Sequence, residues 1–214
     1  MIRNLSARAR EVKIFQYSAV RHVKIRQTSK SKTNGIMTNT RLILLAACLS
    51  TTLNVMGAEN PPSLDPHLEP LRPLLGKTWK GVFDGSKPDK PTVDVARWER
   101  ALNGRAVRLL HSVNQGAYGG ETLFVWNEKS KTIDYFYFTT AGYMTTGTLE
   151  TKNGKIETHE TVKGDAGGVT EVRSTNEILP GKFHVKAEYM KDGQWILGHE
   201  VTYHEDPASE VVFK

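Results

Sequence analysis

The sequence predicts an all-β fold: a ten-stranded antiparallel up-and-down barrel with a short N-terminal helix. Three observations carry this. From Lys77 onward, turn signals recur about every ten to thirteen residues. The segments between them are rich in Val, Ile, Thr, Tyr, Phe and Trp, the composition of strands. Nearly every connection is of hairpin length, so each strand can pair with the next, and no helix-length crossover is available for a parallel sheet.

The expected strands are Lys77 to Asp84, Val93 to Asn103, Arg105 to Gln115, Glu121 to Asn127, Thr132 to Thr140, Tyr143 to Lys152, Lys155 to Lys163, Val169 to Leu179, Lys182 to Lys191 and Gln194 to Tyr203. Asp84-Gly85, Asn103-Gly104, Asn153-Gly154 and Asp192-Gly193 are hairpin dipeptides, because both residue types tolerate positive φ. Gly116 to Gly120 and Gly164 to Gly168 read as hairpin loops; neither has the Gly-Lys-Ser/Thr ending of a phosphate loop. In the last two strands, Phe183, Val185, Ala187 and Tyr189 and then Leu197, His199, Val201 and Tyr203 form one apolar phase. The opposite phase carries His184, Lys186, Glu188 and Glu200, so the sheet has one wet face. Closing such a sheet on itself buries the dry face and removes exposed edges. A barrel of more than eight strands tends to keep an interior that can hold a ligand.

Ahead of the strands, residues 59–76 form a linker and short helix. After Pro61-Pro62, the residues Leu64, Leu68, Leu71 and Leu75 recur at helical spacing, Ser63 or Asp65 can cap, and Gly76 is a stop. Pro70 and Pro73 limit the helix to one or two turns.

The remaining 58 residues have another character. The chain of 214 residues has a formal charge of +6, but Met1 to Ala58 holds ten bases against the single acid Glu11. The rest holds nineteen bases and twenty-two acids, a net of −3. Residues 1–36 are basic, nearly acid-free and without turn-bounded apolar runs, and are expected to be disordered. An organellar transit peptide has a similar composition. Met37 stands where a bacterial signal peptide would begin, so this extension reads as an over-long start or an unusually long n-region. Residues 37–58 read as the signal peptide: a short basic start to Arg41, an apolar run from Leu42, and small residues at Gly57 and Ala58 for cleavage. Leu45-Ala46-Ala47-Cys48 resembles a bacterial lipobox, which would acylate the only cysteine; its apolar run is short, and cleavage at Gly57 or Ala58 is preferred. Either route predicts an extracytoplasmic protein, with membrane attachment only if Cys48 is lipidated. The cysteine-free chain from Glu59 must rely on a core, and at 156 residues it can bury roughly 68–70% of its unfolded surface.

The stretch Leu71-Arg72-Pro73-Leu74-Leu75-Gly76-Lys77-Thr78-Trp79-Lys80-Gly81 resembles the short helix and Gly-x-x-Trp-x-Gly opening strand of calycin-type barrels, the lipocalin, fatty-acid-binding and nitrobindin group. Trp98 to Arg105, Trp126-Asn127, Gly142 and Gly147 are similar to small bacterial lipocalin-like domains of unknown function. The resemblance covers about Leu68 to Tyr203. It implies a ten-stranded barrel with a helix at one end, a small apolar or amphipathic ligand, and a structural Trp79 closing the floor. Nitrobindin-like members bind haem through a histidine close to the C-terminus. Here the late histidines are His199 and His204, and Ala208 to Lys214 has none, so no cofactor is expected and haem is only the group the resemblance would bring.

Six residues are candidates to line the lumen. His111 shares its phase with Val107, Leu109 and Val113, and His199 with Val201 and Tyr203. Glu160 alternates with Ile156, Thr158 and Val162, as a polar anchor inside or a rim carboxylate outside. Tyr137, Tyr189 and Tyr203 complete the set. Around the turn at Thr139 to Gly142 both phases are aromatic, one facing the core and the other a pocket or exposed patch. His199 and His204 lie five apart on a strand and point to opposite faces, which argues against a shared metal. The −3 charge argues against nucleic acid. No Gly-x-Ser-x-Gly elbow, His-Glu-x-x-His or cysteine nucleophile occurs after residue 58. The leading expectation is a barrel binding a small, partly apolar ligand; the alternatives are a small enzyme using a buried His and Glu as acid and base, and a packed structural barrel.

Overall fold

The structure, a computed structural model, describes residues 63–214. The disordered extension expected for residues 1–36, the signal peptide of residues 37–58 with Cys48, and the first part of the linker lie outside the described residues. Ten strands follow one another: β1 (Thr78–Phe83), β2 (Val93–Ala101), β3 (Ala106–Val113), β4 (Tyr118–Asn127), β5 (Thr132–Thr139), β6 (Met144–Lys152), β7 (Lys155–Lys163), β8 (Val169–Leu179), β9 (Lys182–Lys191) and β10 (Gln194–Glu205). Each pairs antiparallel with its neighbour in sequence, and β1 pairs with β10 to close the barrel.

Two strands extend beyond their expected bounds, while β2 stops at Ala101 and β3 at Val113, two residues short of them. β4 starts at Tyr118 rather than Glu121, because Gly119 and Gly120 pair with Ser112 and His111 instead of belonging to the loop. β10 runs on to Glu205, opposite Trp79.

The N-terminal helix is a 3₁₀ helix, Pro66–Leu74. Asp65 caps it by accepting from the His67 backbone N–H, and Pro66 occupies the first turn, where its missing N–H costs nothing. With three residues per turn, Leu68, Leu71 and Leu74 fall on one face and are buried. The expected set ended at Leu75; the tighter helix replaces it with Leu74. This leucine face plugs one end of the barrel, where Trp79, Trp98, Val107, Phe124, Leu149 and Phe183 form the core with it. The Trp79 indole N–H donates to the Leu74 carbonyl at 3.2 Å, and its ring meets Phe183 edge-on at 5.2 Å. Trp79 therefore joins the plug to the barrel floor.

Beyond β10 the chain crosses the outside of the first strands. The Asp206 N–H donates to the Thr78 carbonyl, and the Val212 N–H to the Ser112 hydroxyl at 3.0 Å. Ser112 and Val95, both on the outward face, are buried there.

Candidate functional site

Pairing across the ladder puts all six candidates on the inward face. His111 lies opposite Ala96 and Gly120, Tyr137 opposite Thr122 and Thr145, and Glu160 opposite Gly147 and Val172. Tyr189 pairs with Val172, His199 with Ala187, and Tyr203 with Phe183 and Gly81. His204 faces outward between Lys80 and Lys182, on the face opposite His199.

The aromatic turn resolves the same way. Tyr135 and Tyr137 point inward, whereas Phe136 and Phe138 stand on the outer surface, 39% and 49% exposed. One inward assignment fails: Leu197 pairs with Glu188 on the outer face and is 57% exposed. A bulge between Leu197 and His199 adds a residue and reverses the phase. The residue added is Gly198, and a Cβ there would lie 2.6 Å from the Tyr189 ring. The glycine thus leaves the space in which Tyr189 meets His199.

Most of these side chains form one hydrogen-bonded network. Asp94, at the start of β2, accepts from the Tyr203 hydroxyl at 2.6 Å and faces His111 Nδ1 at 3.2 and 3.3 Å. His111 Nε2 lies 2.8 Å from the Tyr137 hydroxyl, which is 2.6 Å from that of Tyr118, itself 2.7 Å from that of Tyr143. A second pair, Tyr189 and His199 Nδ1, is 2.7 Å apart, with the His199 ring stacked on Phe83. Glu160 accepts from the Thr145 hydroxyl and is bonded to Tyr135.

Local structure holds these groups in place. Asn114, Gln115 and Gly116 all take positive φ in the β3–β4 turn, which starts β4 in register for Tyr118 to reach Tyr137. The Thr139 backbone N–H and hydroxyl both bind the Tyr143 carbonyl, closing the turn that carries Tyr143. Gly120 leaves room for Tyr137, whose ring would lie 2.4 Å from a Cβ.

The electrostatics follow from enclosure. Burial pushes the Glu160 carboxyl up, although bonds from Thr145 and Tyr135 oppose this. Burial holds His199 down at about 4, keeping its imidazole neutral near pH 7. Burial, then the neighbouring Tyr143 and Glu160, raises the Tyr189 hydroxyl. Tyr118, Tyr137 and Tyr203 are likewise raised, burial being the first cause in each, so these phenols are neutral donors and acceptors.

Exposure is uneven among the inward-facing residues. At the helix end, Trp79 and Val107 have at most 1% of their surface exposed. Toward the other end His111, Tyr118, Tyr137, Tyr143, Glu160, Val172, Tyr189 and His199 remain half-buried while facing inward. Two clefts are present, about 340 Å³ at the helix end, where His67 meets the inward-phase residues Trp126, Ile133 and Leu149, and about 220 Å³ on the outer face beside Val95 and Glu210. Both are open to solvent, and His67 is already stacked on Trp126 at 3.7 Å and bonded to Asp65. Among the described residues, no group of three or more His, Cys, Asp and Glu side chains is arranged to hold a metal.

Sequence reasoning missed Asp94, Tyr118 and Thr145. Asp94 alternates with Ala96 and Trp98, which signals the inward phase. Tyr118 sits among glycines that read as loop.

No protein-family model matches the chain, and no curated protein does. Among solved structures, it is similar to the crystal structure of Rv2717c from M. tuberculosis, at 15% identity over 67% of this chain and 99% of that one, with a TM-score of 0.49. The hydrogen-bonded ladders themselves make the chain an all-β, closed barrel of ten antiparallel strands.

Proposed function

We propose that this chain is a ligand-binding barrel of calycin type, acting outside the cytoplasm, which takes a small, partly apolar molecule in the half of its lumen away from the 3₁₀ helix. One observation carries the reading: inward-facing side chains from β3 to β10, among them His111, Tyr137, Glu160, Tyr189 and His199, keep accessible surface there, while the helix leucines, Trp79 and Val107 at the other end are buried. A barrel packed throughout at interior density would hide both halves alike. Leu109, Val113, Val172 and Phe83 supply apolar wall, worth about 25 cal/mol per Å² covered. The hydroxyls, His111 and Glu160 supply orientation. Export is inferred from the leader, and secretion of a reporter fused after Ala58 tests it.

The binding test is displacement of an environment-sensitive dye, with native mass spectrometry of the purified chain. Wild type is expected to bind the dye and release it to competing small amphiphiles. Val172→Trp, which fills the lumen from β8, should abolish binding while leaving the melting temperature unchanged. A wild-type chain that binds no dye and carries no adduct would overturn the reading.

A second reading rests on the line Asp94, His111, Tyr137. A carboxylate beside Nδ1 orients the imidazole, whose Nε2 can then accept a proton through Tyr137. The acid beside this histidine is Asp94, not Glu160. Loss on His111→Ala of an activity found in a hydrolase and isomerase screen would support it; an unchanged activity would end it.

A further inference from the structure

Deepening the lumen reading, and resting on it, we infer that the ligand carries a neutral hydroxyl group, which it lays against Asn176 on the β8 wall. Asn176 faces inward, pairing with Ile156 on β7 and Val185 on β9, both of the inward phase. The wall around it is not closed. The 3₁₀ helix packs chiefly over β3 and β4, whereas on the far side of the barrel the inward residues Thr158, Ser174, Asn176, Ile178 and Val185 are half-buried. Accessible surface therefore runs down β7 to β9, from Glu160 toward the helix end.

What this strip asks of a ligand follows from its hydrogen bonds. The Asn176 amide nitrogen donates to the Ile156 carbonyl at 3.2 Å and to the Ser174 hydroxyl at 2.8 Å. A backbone carbonyl can only accept, so the first contact fixes which end of the side-chain amide is nitrogen. Both amide protons are then committed within the chain. The Ser174 hydroxyl is in turn 2.7 Å from that of Thr158. Oδ1 of Asn176 is left over. Among the described residues no donor meets it, and no side-chain oxygen is both buried and unpaired, so this one stays reachable from the lumen.

A ligand lying on this wall shuts water off from Oδ1. Unless the ligand supplies a donor, that oxygen is enclosed and unpaired, at the full cost of its desolvation. Carboxylates, ketones and ethers have no donor to give. An amide N–H has one, but it brings a carbonyl for which Asn176 has no proton left. An ammonium ion also donates, yet its charge would lie without a counter-ion. Ile156, Ser174, Ile178 and Val185 around Asn176 are neutral, and Glu160 stands four residues along β7 from Ile156, roughly 13 Å by strand rise. Enclosing an unpaired charge costs more than its hydrogen bond returns. A neutral O–H meets the oxygen without that penalty, while the apolar body of the ligand covers Ile178 and Val185.

The test is displacement of the lumen dye from the full chain by three probes of one shape: 2-octanol, 2-octanone and 2-aminooctane as its ammonium ion. The alcohol should displace the dye at about fivefold lower concentration than either of the others, the scale of one neutral hydrogen bond. Asn176→Leu, checked for an unchanged circular dichroism spectrum, should bring alcohol and ketone within about twofold of each other. A measurement on wild type needs no variant: the assigned Asn176 side-chain amide should show nuclear Overhauser contacts to the carbinol end of bound 2-octanol. Ketone or ammonium ion binding as tightly as the alcohol, a preference that survives in Asn176→Leu, or an Asn176 amide without contact to the bound alcohol would overturn the hydroxyl inference while leaving the lumen reading intact. Failure of all three probes against a dye that does bind would do the same. If the dye does not bind and the chain carries no adduct, both fall together.

Discussion

Lowering the pH should destabilise this barrel through His199, and the size of the effect can be worked out. Its ring is enclosed, stacked on Phe83 and bonded to Tyr189, and its pKa is lowered from 6.5 to about 4 chiefly by burial. A pKa depressed by folding means that the unfolded chain binds the proton more readily. The stabilising contribution is thus complete above pH 6.5 and is lost as the pH falls toward 4. Linkage gives a loss of about 2 kcal/mol by pH 5 and about 3 kcal/mol by pH 4. Lumen water reaching the ring makes these upper figures. The control is His199→Asn, whose side-chain oxygen can take the place of Nδ1 before Tyr189 without titrating. Urea unfolding of both proteins at pH 7.5 and pH 5 isolates the term, since groups common to both cancel in the difference. With a urea slope of about 2 kcal/mol per molar, wild type should lose roughly 1 M more in midpoint than the variant. Equal losses in the two proteins would refute the assignment of an enclosed, neutral histidine.

Three further outcomes follow from the same geometry. Glu160→Gln should raise stability at pH 8: the carboxyl of Glu160 is raised by burial, so its contribution is greatest below 4.5 and is lost as pH rises through the folded value. Thermal melts at pH 8 and pH 4 should show the gap between variant and wild type closing at the lower pH. Leu71→Ala, removing a fully enclosed plug side chain, should cost about 2–5 kcal/mol in urea unfolding, while leaving mouth-end probes of ligand binding unaffected in the folded fraction. Asp65→Ala should cost about 1 kcal/mol, because the helix loses the acceptor for the His67 N–H.

Most of the fold was legible because hairpin dipeptides and two-residue alternation are local signals. Where one face is buried, alternation sets register, and the register of β3, β5, β7 and β9 turns His111, Tyr137, Glu160 and Tyr189 inward, settling for Glu160 a choice between inside and rim that alternation had left open. What escaped was whatever depends on an added residue or a changed period. The bulge at Gly198 turned Leu197 outward, although its spacing from His199 reads as the same face. A 3₁₀ rather than an α period moved the plug from Leu75 to Leu74. The network itself could not be read, because Asp94 and Tyr203 are 109 positions apart and meet only once the barrel closes.

That closure has a consequence for how the protein forms. Nine of the ten ladders join neighbours in sequence and can zip locally, as hairpins do on the microsecond scale. The tenth, β1 with β10, brings Trp79 to Glu205 and so spans nearly the whole barrel. Contacts of such separation are slow to form, because the loop entropy is spent before any contact offsets it. Trp79 lies on that seam and also holds the plug through Leu74. Its fluorescence should therefore change with the last folding phase, and closing the seam, docking the plug and joining Asp94 to Tyr203 should be one kinetic event.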